Sequence, residues 1–374
     1  MALTAYIHIP FCSHKCDFCD FAAFAGVDDM ERDYCDVVVS EIRARTQEYQ
    51  HPAGGMRSLF YGGGTPGYIS PDNLGLIHGT LNETVGVASD AEVSLETTPH
   101  SITLEKAKSW LSMGINRLSI GLESLNDDEL RAIGRDHTVA QALQGVDTAR
   151  EAGFVNIALD LMYGLPTQTL VSWEKTLDRA IGLGAPHLSA YGLTLAGNSP
   201  LLTKFPRDCA SYPDEDLFGS MYGLLVSKCE AAGLQQYEIS NFSKVGYESR
   251  HNLTYWANSE YFGFGVSAHR YLGGVRSSNY RGLKRYMRDF LSDETCEVID
   301  ERTRAKEALF LGLRLRSGIN LDQFRTMYGF DVRAVRSDKI QALTEGGFLE
   351  VSDGYLRLSQ RGVLVSNLVM SELV

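Results

Sequence analysis

Between residues 4 and 193, short apolar runs alternate with stretches whose apolar positions recur every three or four residues. TAYIHI (4–9), RSLFY (57–61), AEVSLE (91–96), NRLSIG (116–121), FVNIALDLM (154–162) and HLSAYGL (187–193) read as strands. The amphipathic stretches near 28–49, 71–82, 104–113, 138–152 and 169–182 read as helices. Strands that alternate with helices predict an α/β fold, a parallel sheet covered by helices. Right-handed crossovers curl such a sheet into a partial (β/α)6 barrel.

Beyond the sixth strand the rhythm stops. GNSPLLTKFPRDCASYP (197–213) reads as a loop, and 214–300 combines a helix with the aromatic stretch YEISNFSKVGYESRHNLTYW. From about 302 short helices precede FLEVSDGYLRLS, a hairpin turning at Asp353-Gly354, and a last helix starts at Gln360. Helices followed by a hairpin predict a small winged-helix-like module. The expected organisation is a core over 1–200, an extension over 201–300 and the module over 301–374. No internal repeat or low-complexity tract is visible.

In a parallel α/β sheet, function collects in the loops after the C-terminal ends of the strands. The unusual residues fall there: Cys12–Cys19, Gly62–Pro66, Glu96–Pro99, Glu123 and Asp160. Composition then narrows the class. The 44% apolar and 22% charged residues are ordinary for a globular protein, and 374 residues suffice for about two domains. The net charge is −12. Residues 301–374 hold 11 basic and 9 acidic side chains, so the first 300 carry −12 − 2 = −14. A nucleic-acid partner needs a basic face, so none is expected. The N-terminus lacks a basic segment followed by an apolar one, and no apolar run reaches membrane-spanning length. A cytoplasmic location follows as the expectation, and there clustered cysteines point to metal or redox chemistry rather than disulfides.

Cys12, Cys16 and Cys19 form C-x3-C-x2-C inside YIHIPFCSHKCDFCDF. One short loop can wrap three thiolates round one metal centre. Structural zinc and cubane iron–sulfur clusters both want four ligands, and no fourth cysteine follows locally. Three ligands leave one metal position open. Zinc completed by His8 or His14 is one reading, and a site-differentiated iron–sulfur cluster is the other.

C-x3-C-x2-C after the first strand resembles the radical S-adenosylmethionine (SAM) superfamily. The later stations follow in order: Gly62-Gly63-Gly64-Thr65-Pro66, LETTP (95–99), NRLSIGLES, IGRDH and NIALDLMYGLPTQT (156–169). YEISNFS (237–243), RHNLTYW (250–256) and GFGVSAHRYL (263–272) narrow the likeness to heme chaperones of the HemW type, relatives of the oxygen-independent coproporphyrinogen III oxidase HemN. The likeness runs from about residue 4 to 372. It implies a radical-SAM barrel and a [4Fe–4S] cluster on Cys12, Cys16 and Cys19, with SAM on the open iron. It implies contacts to these groups from Tyr6, Phe18, Gly63, Gly64, Thr65 and Glu96. Arg135 and Asp160 match positions that meet a second SAM in the oxidase.

Glu123 departs from the pattern, because the family's GxQS is GLES here. A carboxylate in place of an amide loses N–H donors and weakens contact with a SAM carboxylate, which puts a second SAM in doubt. His251 is the candidate heme ligand, since imidazole commonly binds iron and Tyr255 and Trp256 offer flat apolar surface. Gly263-Phe264-Gly265-Val266-Ser267-Ala268 matches G-x-G-x-x-A, but without a βαβ unit or an acidic station it does not read as a dinucleotide site. The resemblance implies heme as ligand and respiratory-chain acceptors at the membrane surface as partners, and it leaves a homodimer open. The oxidase is the alternative function. Phe21 stands where HemN has a fourth cysteine, and HemN's long segment before the cluster has no counterpart ahead of Tyr6. A related radical SAM methyltransferase is the third reading.

Overall fold

A computed structural model describes residues 3–47, 54–197, 199–207 and 211–374. The six expected strands are β1 (Thr4–Ile9), β2 (Met56–Gly63), β3 (Val87–Thr97), β4 (Arg117–Glu123), β5 (Asn156–Tyr163) and β6 (His187–Gly192). Each pairs in parallel with the next. The helices between them are α1 (Glu31–Gln47), α2 (Pro71–Thr84), α3 (Leu104–Ser112), α5 (Val139–Ala152) and α6 (Leu170–Gly182), with a short α4 (Asp127–Ala132) that the periodicity did not reveal. Five of the helices start on side-chain caps, at Ser70, Thr103, Asn126, Thr138 and Thr169. Each cap oxygen accepts from a backbone N–H that the first turn leaves without an intrahelical partner. Pro71 at the first position of α2 loses nothing, because its missing N–H had no partner to lose.

Ile7, Leu59, Leu118 and Leu159 from the strands and Trp110 and Trp173 from the helices are fully buried in one continuous core. Three short strands extend the sheet: β7 (Gln235–Gln236), β8 (Asn241–Ser243) and β9 (Phe262–Phe264). The order is β9-β1-β2-β3-β4-β5-β6-β8-β7, with β9 parallel to β1 and β8 antiparallel to β6. Among the described residues the two edge strands do not pair, so the barrel stays partial.

The GFGVSA stretch therefore supplies a barrel strand. A Cβ at Gly265, where φ is +96°, would lie 2.5 Å from the His8 carbonyl oxygen, and one at Gly263 would strike the His269 carbonyl. Close packing of β9 on its neighbours explains both glycines.

A three-stranded antiparallel sheet follows, of β10 (His269–Leu272), β11 (Val275–Ser278) and β12 (Thr295–Val298). The C-terminal module carries α9 (Glu301–Gly312, after α7 at Glu215–Ala231 and α8 at Arg250–Trp256) and a sheet of β13 (Ile319–Asn320), β14 (Leu349–Ser352) and β15 (Tyr355–Leu358). Asp353 and Gly354 turn the β14–β15 hairpin with φ of +52° and +78°, the doubly positive pair that a two-residue turn of this hand demands.

Candidate functional site

β1 runs through Pro10 into the cysteine loop. Cys12 and Cys16 are buried and Cys19 half-buried. The loop is held at several points. The Asp17 N–H donates to the Ile133 carbonyl (3.2 Å), the Leu201 N–H and Ser199 hydroxyl donate to the Asp17 carbonyl (3.1 and 2.7 Å), and Lys204 pairs with the Asp17 carboxylate. His8 fixes the far end of the loop: Nε2 meets the Ala22 carbonyl at 3.0 Å and Nδ1 meets the Tyr6 hydroxyl at 3.1 Å. Both nitrogens of His8 are thereby engaged, and it is no fourth ligand. His14 is exposed and lines the cavity beside the thiols.

That cavity, about 140 Å³, brings Cys12, Cys16 and Cys19 together with Phe18, Gly63, Gly64, Thr65, Glu96, Glu123, Arg135 and Asp160. Eleven sequence-selected side chains and backbones from distant parts of the chain thus meet at one end of the sheet. Tyr6 lies next to them. Its ring stacks on Phe60, and a Cβ on Gly62 would touch both it and the Glu96 carboxylate at 2.9 Å. A second cavity of about 550 Å³ shares Phe18, Glu96, Ser119, Asp160 and Tyr191 with the first and reaches Arg117 and His187.

Three expectations change in detail. The N–H groups of Gly63, Gly64 and Thr65 are used inside the chain, by Glu96 Oε2 (3.0 Å), the Ile9 carbonyl (2.8 Å) and the Phe11 carbonyl (2.8 Å). The glycines are required by packing: a Cβ on Gly63, at φ +111°, would lie 2.5 Å from the His8 ring. Arg135 is not free for a ligand carboxylate. Its guanidinium donates to Glu123 Oε1 (2.8 Å), to the Gly121 carbonyl (2.7 Å) and to Cys16 Sγ (3.4 Å). Tyr191 donates to the other Glu123 oxygen at 2.8 Å. Glu123 sits at a bulge in β4 with φ +61°, which turns its side chain toward this pair.

His251 is the third change. It lies apart from the cysteines, on α8, against the starts of β1 and β2. Nδ1 meets Thr4 Oγ1 (3.0 Å) and Ser58 Oγ (3.2 Å), Nε2 meets the Tyr255 hydroxyl (2.9 Å), and the ring stacks on Phe60 at 5.0 Å. Burial pulls its pKa down to about 3. In this arrangement neither nitrogen is open to an iron.

The electrostatics suit a cationic ligand. Glu96, Glu123 and Asp160 line the small cavity, with Arg135 spent on Glu123. Burial, opposed by the Gly63 N–H and reinforced by Glu123, lifts the Glu96 carboxyl to about 7. Burial and the two neighbouring carboxylates hold Asp160 well above the usual range, although the Ser119 hydroxyl reaches both its oxygens at 3.1 and 2.9 Å. Burial also lifts the thiols, Cys12 to about 11. Carboxyls and thiols that are reluctant to ionise alone fit a site completed by positive charge, iron on the thiol side and a sulfonium on the carboxyl side.

Ser119 and Tyr191 were not singled out in the sequence. The signal for Ser119 was the two-residue period of β4, which puts Ser119 and Gly121 toward one face; Tyr191 had no local signal.

Comparison with known proteins follows the same lines. The radical SAM superfamily model matches residues 6–180 and the HemN C-terminal domain model matches residues 299–365. The chain is 36% identical over 370 residues to the heme chaperone HemW of Bacillus subtilis, covering 97% of both chains. It is 32% identical to the HemW of Haemophilus influenzae, covering 98% of this chain and 96% of that one. The solved structure of Escherichia coli coproporphyrinogen III oxidase, HemN, superposes with a TM-score of 0.87 at 21% identity, covering 100% of this chain and 90% of that one. That likeness establishes the fold, with its parallel-strand barrel and small C-terminal module.

Proposed function

Because the chain belongs to the HemW family of the radical SAM superfamily, we propose that it is a heme chaperone that binds heme and passes it to acceptor proteins. Membership implies a [4Fe–4S] cluster and SAM. Cys12, Cys16 and Cys19 are the residues that would hold the cluster. Glu96 would receive the charged methionine end of SAM, and Asp160 would accept from a ribose hydroxyl of a second SAM. Once bound, the cluster supplies an electron and an open iron position, and SAM supplies a sulfonium. The chain's own work there is to shape the pocket, shield it with Phe18 and keep Arg135 against Cys16 through Glu123.

The heme reading rests on one observation. The HNLTYW segment forms α8, and α8 sets Tyr255 between His251 and a third, aromatic cavity of about 360 Å³. Tyr261, Tyr271 and Phe310 wall that cavity and Arg276 lies at its side. Flat apolar walls with one cation suit a porphyrin edge and its propionates. Arg276 is paired with Glu307 at 2.6 Å, so a propionate would compete for it. Turning Tyr255 out of its hydrogen bond would open a route from the cavity to His251 Nε2. The Tyr255 hydroxyl is the gate in this reading.

The acceptors are respiratory-chain proteins at the membrane surface, met by a cytoplasmic protein for which a homodimer is open. No helix among the described residues is long and apolar enough to cross a membrane.

The test uses anaerobically reconstituted protein. Heme titration should give a Soret shift that His251→Ala weakens by about tenfold or more, a loss of at least about 1.4 kcal/mol. In parallel the protein is given coproporphyrinogen III, SAM and a reductant. Decarboxylated product would replace the chaperone reading with the oxidase.

A further inference from the structure

Beside the cysteine loop lies a group of side chains that neither the cluster nor the heme reading uses. His100 is in the short turn after β3, and Asp136 and His137 are in the link between α4 and α5. One donor atom from each lies within 4.8 Å of the other two. His100 Nε2 is 3.5 Å from Asp136 Oδ2, and the two imidazole centroids are 6.3 Å apart. We propose that His100, Asp136 and His137 bind a divalent first-row transition metal, zinc or ferrous iron, at a site separate from the three cysteines.

The orphaned histidine is the strongest argument. His137 is 3% exposed, yet neither of its ring nitrogens has a hydrogen bond among the described residues. A buried polar group without a partner costs about 1–3 kcal/mol and asks for an explanation. The Leu122 carbonyl lies near the ring without ordinary hydrogen-bond geometry. An outer carbonyl of this kind fixes the tautomer of a metal-bound imidazole. His100 repeats the pattern more weakly, with Nδ1 unpartnered.

The donor set supports the same assignment. Two imidazoles and one carboxylate are the facial combination that divalent first-row metals accept with positions left open. Ligands at about 2.0–2.2 Å from such an ion are closer together than these donors are, so the group must draw in by under an ångström or so on binding. The backbone permits this, since His100 and Asp136 are on the exposed side and only His137 is fixed by burial.

Without an ion, Ser13 fills the gap: its hydroxyl donates to Asp136 Oδ2 at 2.8 Å and meets His100 Nε2 at 3.2 Å. Metal binding would take both atoms from Ser13, the neighbour of Cys12. The nearby cation does not oppose binding strongly, because the Arg135 guanidinium is neutralised by Glu123 at 2.8 Å.

Cobalt(II) is the probe, because its spectrum reports its ligands. The full chain is first loaded anaerobically with its cluster, so that the three thiols are occupied. Cobalt should then bind at about one equivalent, with visible bands of nitrogen and oxygen ligation and no thiolate-to-metal charge transfer. His100→Ala and His137→Ala should each weaken binding by about tenfold or more, while the brown cluster absorbance persists and shows that the loop is intact. Displacement by zinc or by ferrous iron then ranks the two.

A chain carrying Cys12→Ser, Cys16→Ser and Cys19→Ser gives the same readout without the competing thiols. No cobalt binding to the loaded chain overturns the proposal. So does binding that survives both histidine variants, or binding that carries thiolate charge transfer.

Discussion

The carboxyl of Glu96 makes the acid–base behaviour of the pocket measurable. Its folded value near 7 stands above an unfolded value near the ordinary 4.5, chiefly through burial. The folded state therefore holds that proton more tightly. Stability from this group is greatest below pH 4.5 and is lost as pH rises to about 7 and beyond. Glu96→Gln removes the penalty and keeps an oxygen for the Gly63 N–H. In cluster-free protein, the variant should gain about 1–3 kcal/mol over the parent between pH 5 and pH 8.5 by denaturant midpoint; an equal difference at both pH values would contradict this.

Glu123 acts on the same pocket through charge. With Glu123→Gln the Arg135 guanidinium, 3.4 Å from Cys16 Sγ, keeps its full positive charge beside the thiolates. A unit charge at that range, with an effective dielectric of about 20, is worth about 5 kcal/mol at most. The midpoint potential of the cluster should rise by on the order of 100 mV, read by redox titration with EPR. An unchanged potential would show that the pair is only structural.

The sequence identified these carboxylates because spacing and strand ends mark them. It did not identify Tyr191, Ser119 or the partnering of Arg135 by Glu123. Those depend on which strands become neighbours, and residue 123 meets residue 191 only across folded space.

At the scale of elements, periodicity and caps carried most of the reading. The core strands and their helices lie within a few residues of the expected bounds, because apolar repeats and Ser or Thr caps are local signals. The Asp353-Gly354 hairpin was legible for the same reason. β9 was not, since its three residues read equally as a glycine-rich loop until they pair with β1.

The element that matters most for function is the cysteine loop, and its geometry turns on Gly134. That residue has φ +73°, and a Cβ there would lie 2.5 Å from an Asp17 carboxylate oxygen. Gly134→Ala would strain the backbone and push on the loop between Cys16 and Cys19. The expected result is a stability loss of about 1–2 kcal/mol and a lower iron content after reconstitution. Full iron loading with an unchanged melting temperature would mean that the loop accommodates the methyl group.

For the whole molecule, the question is how the aromatic cavity is assembled from regions far apart in the chain. Tyr255 and Tyr261 come from the HNLTYW region and Tyr271 and Arg276 from the antiparallel sheet, whereas Glu307, Phe310 and Leu311 belong to α9 of the C-terminal module. Polar contacts tie these parts together. The Arg314 guanidinium stacks 4.5 Å from the Trp256 ring, and the Arg316 N–H donates to the Tyr237 carbonyl at 3.0 Å. A ligand in the cavity would therefore bridge the extension and the module.

Bound heme should slow amide hydrogen exchange in α9 and around 250–261, because a ligand held by both segments makes their local opening more costly. The cysteine loop lies in another part of the barrel and should change little. Exchange measured by mass spectrometry with and without heme separates the outcomes. Protection confined to the cysteine loop would move the heme site to the cluster side, and the aromatic cavity would lose its assigned ligand. Protection in α9 together with His251-dependent binding would join the two halves of the argument. The module that follows the barrel would then be a wall of the heme site, rather than an appendage to it.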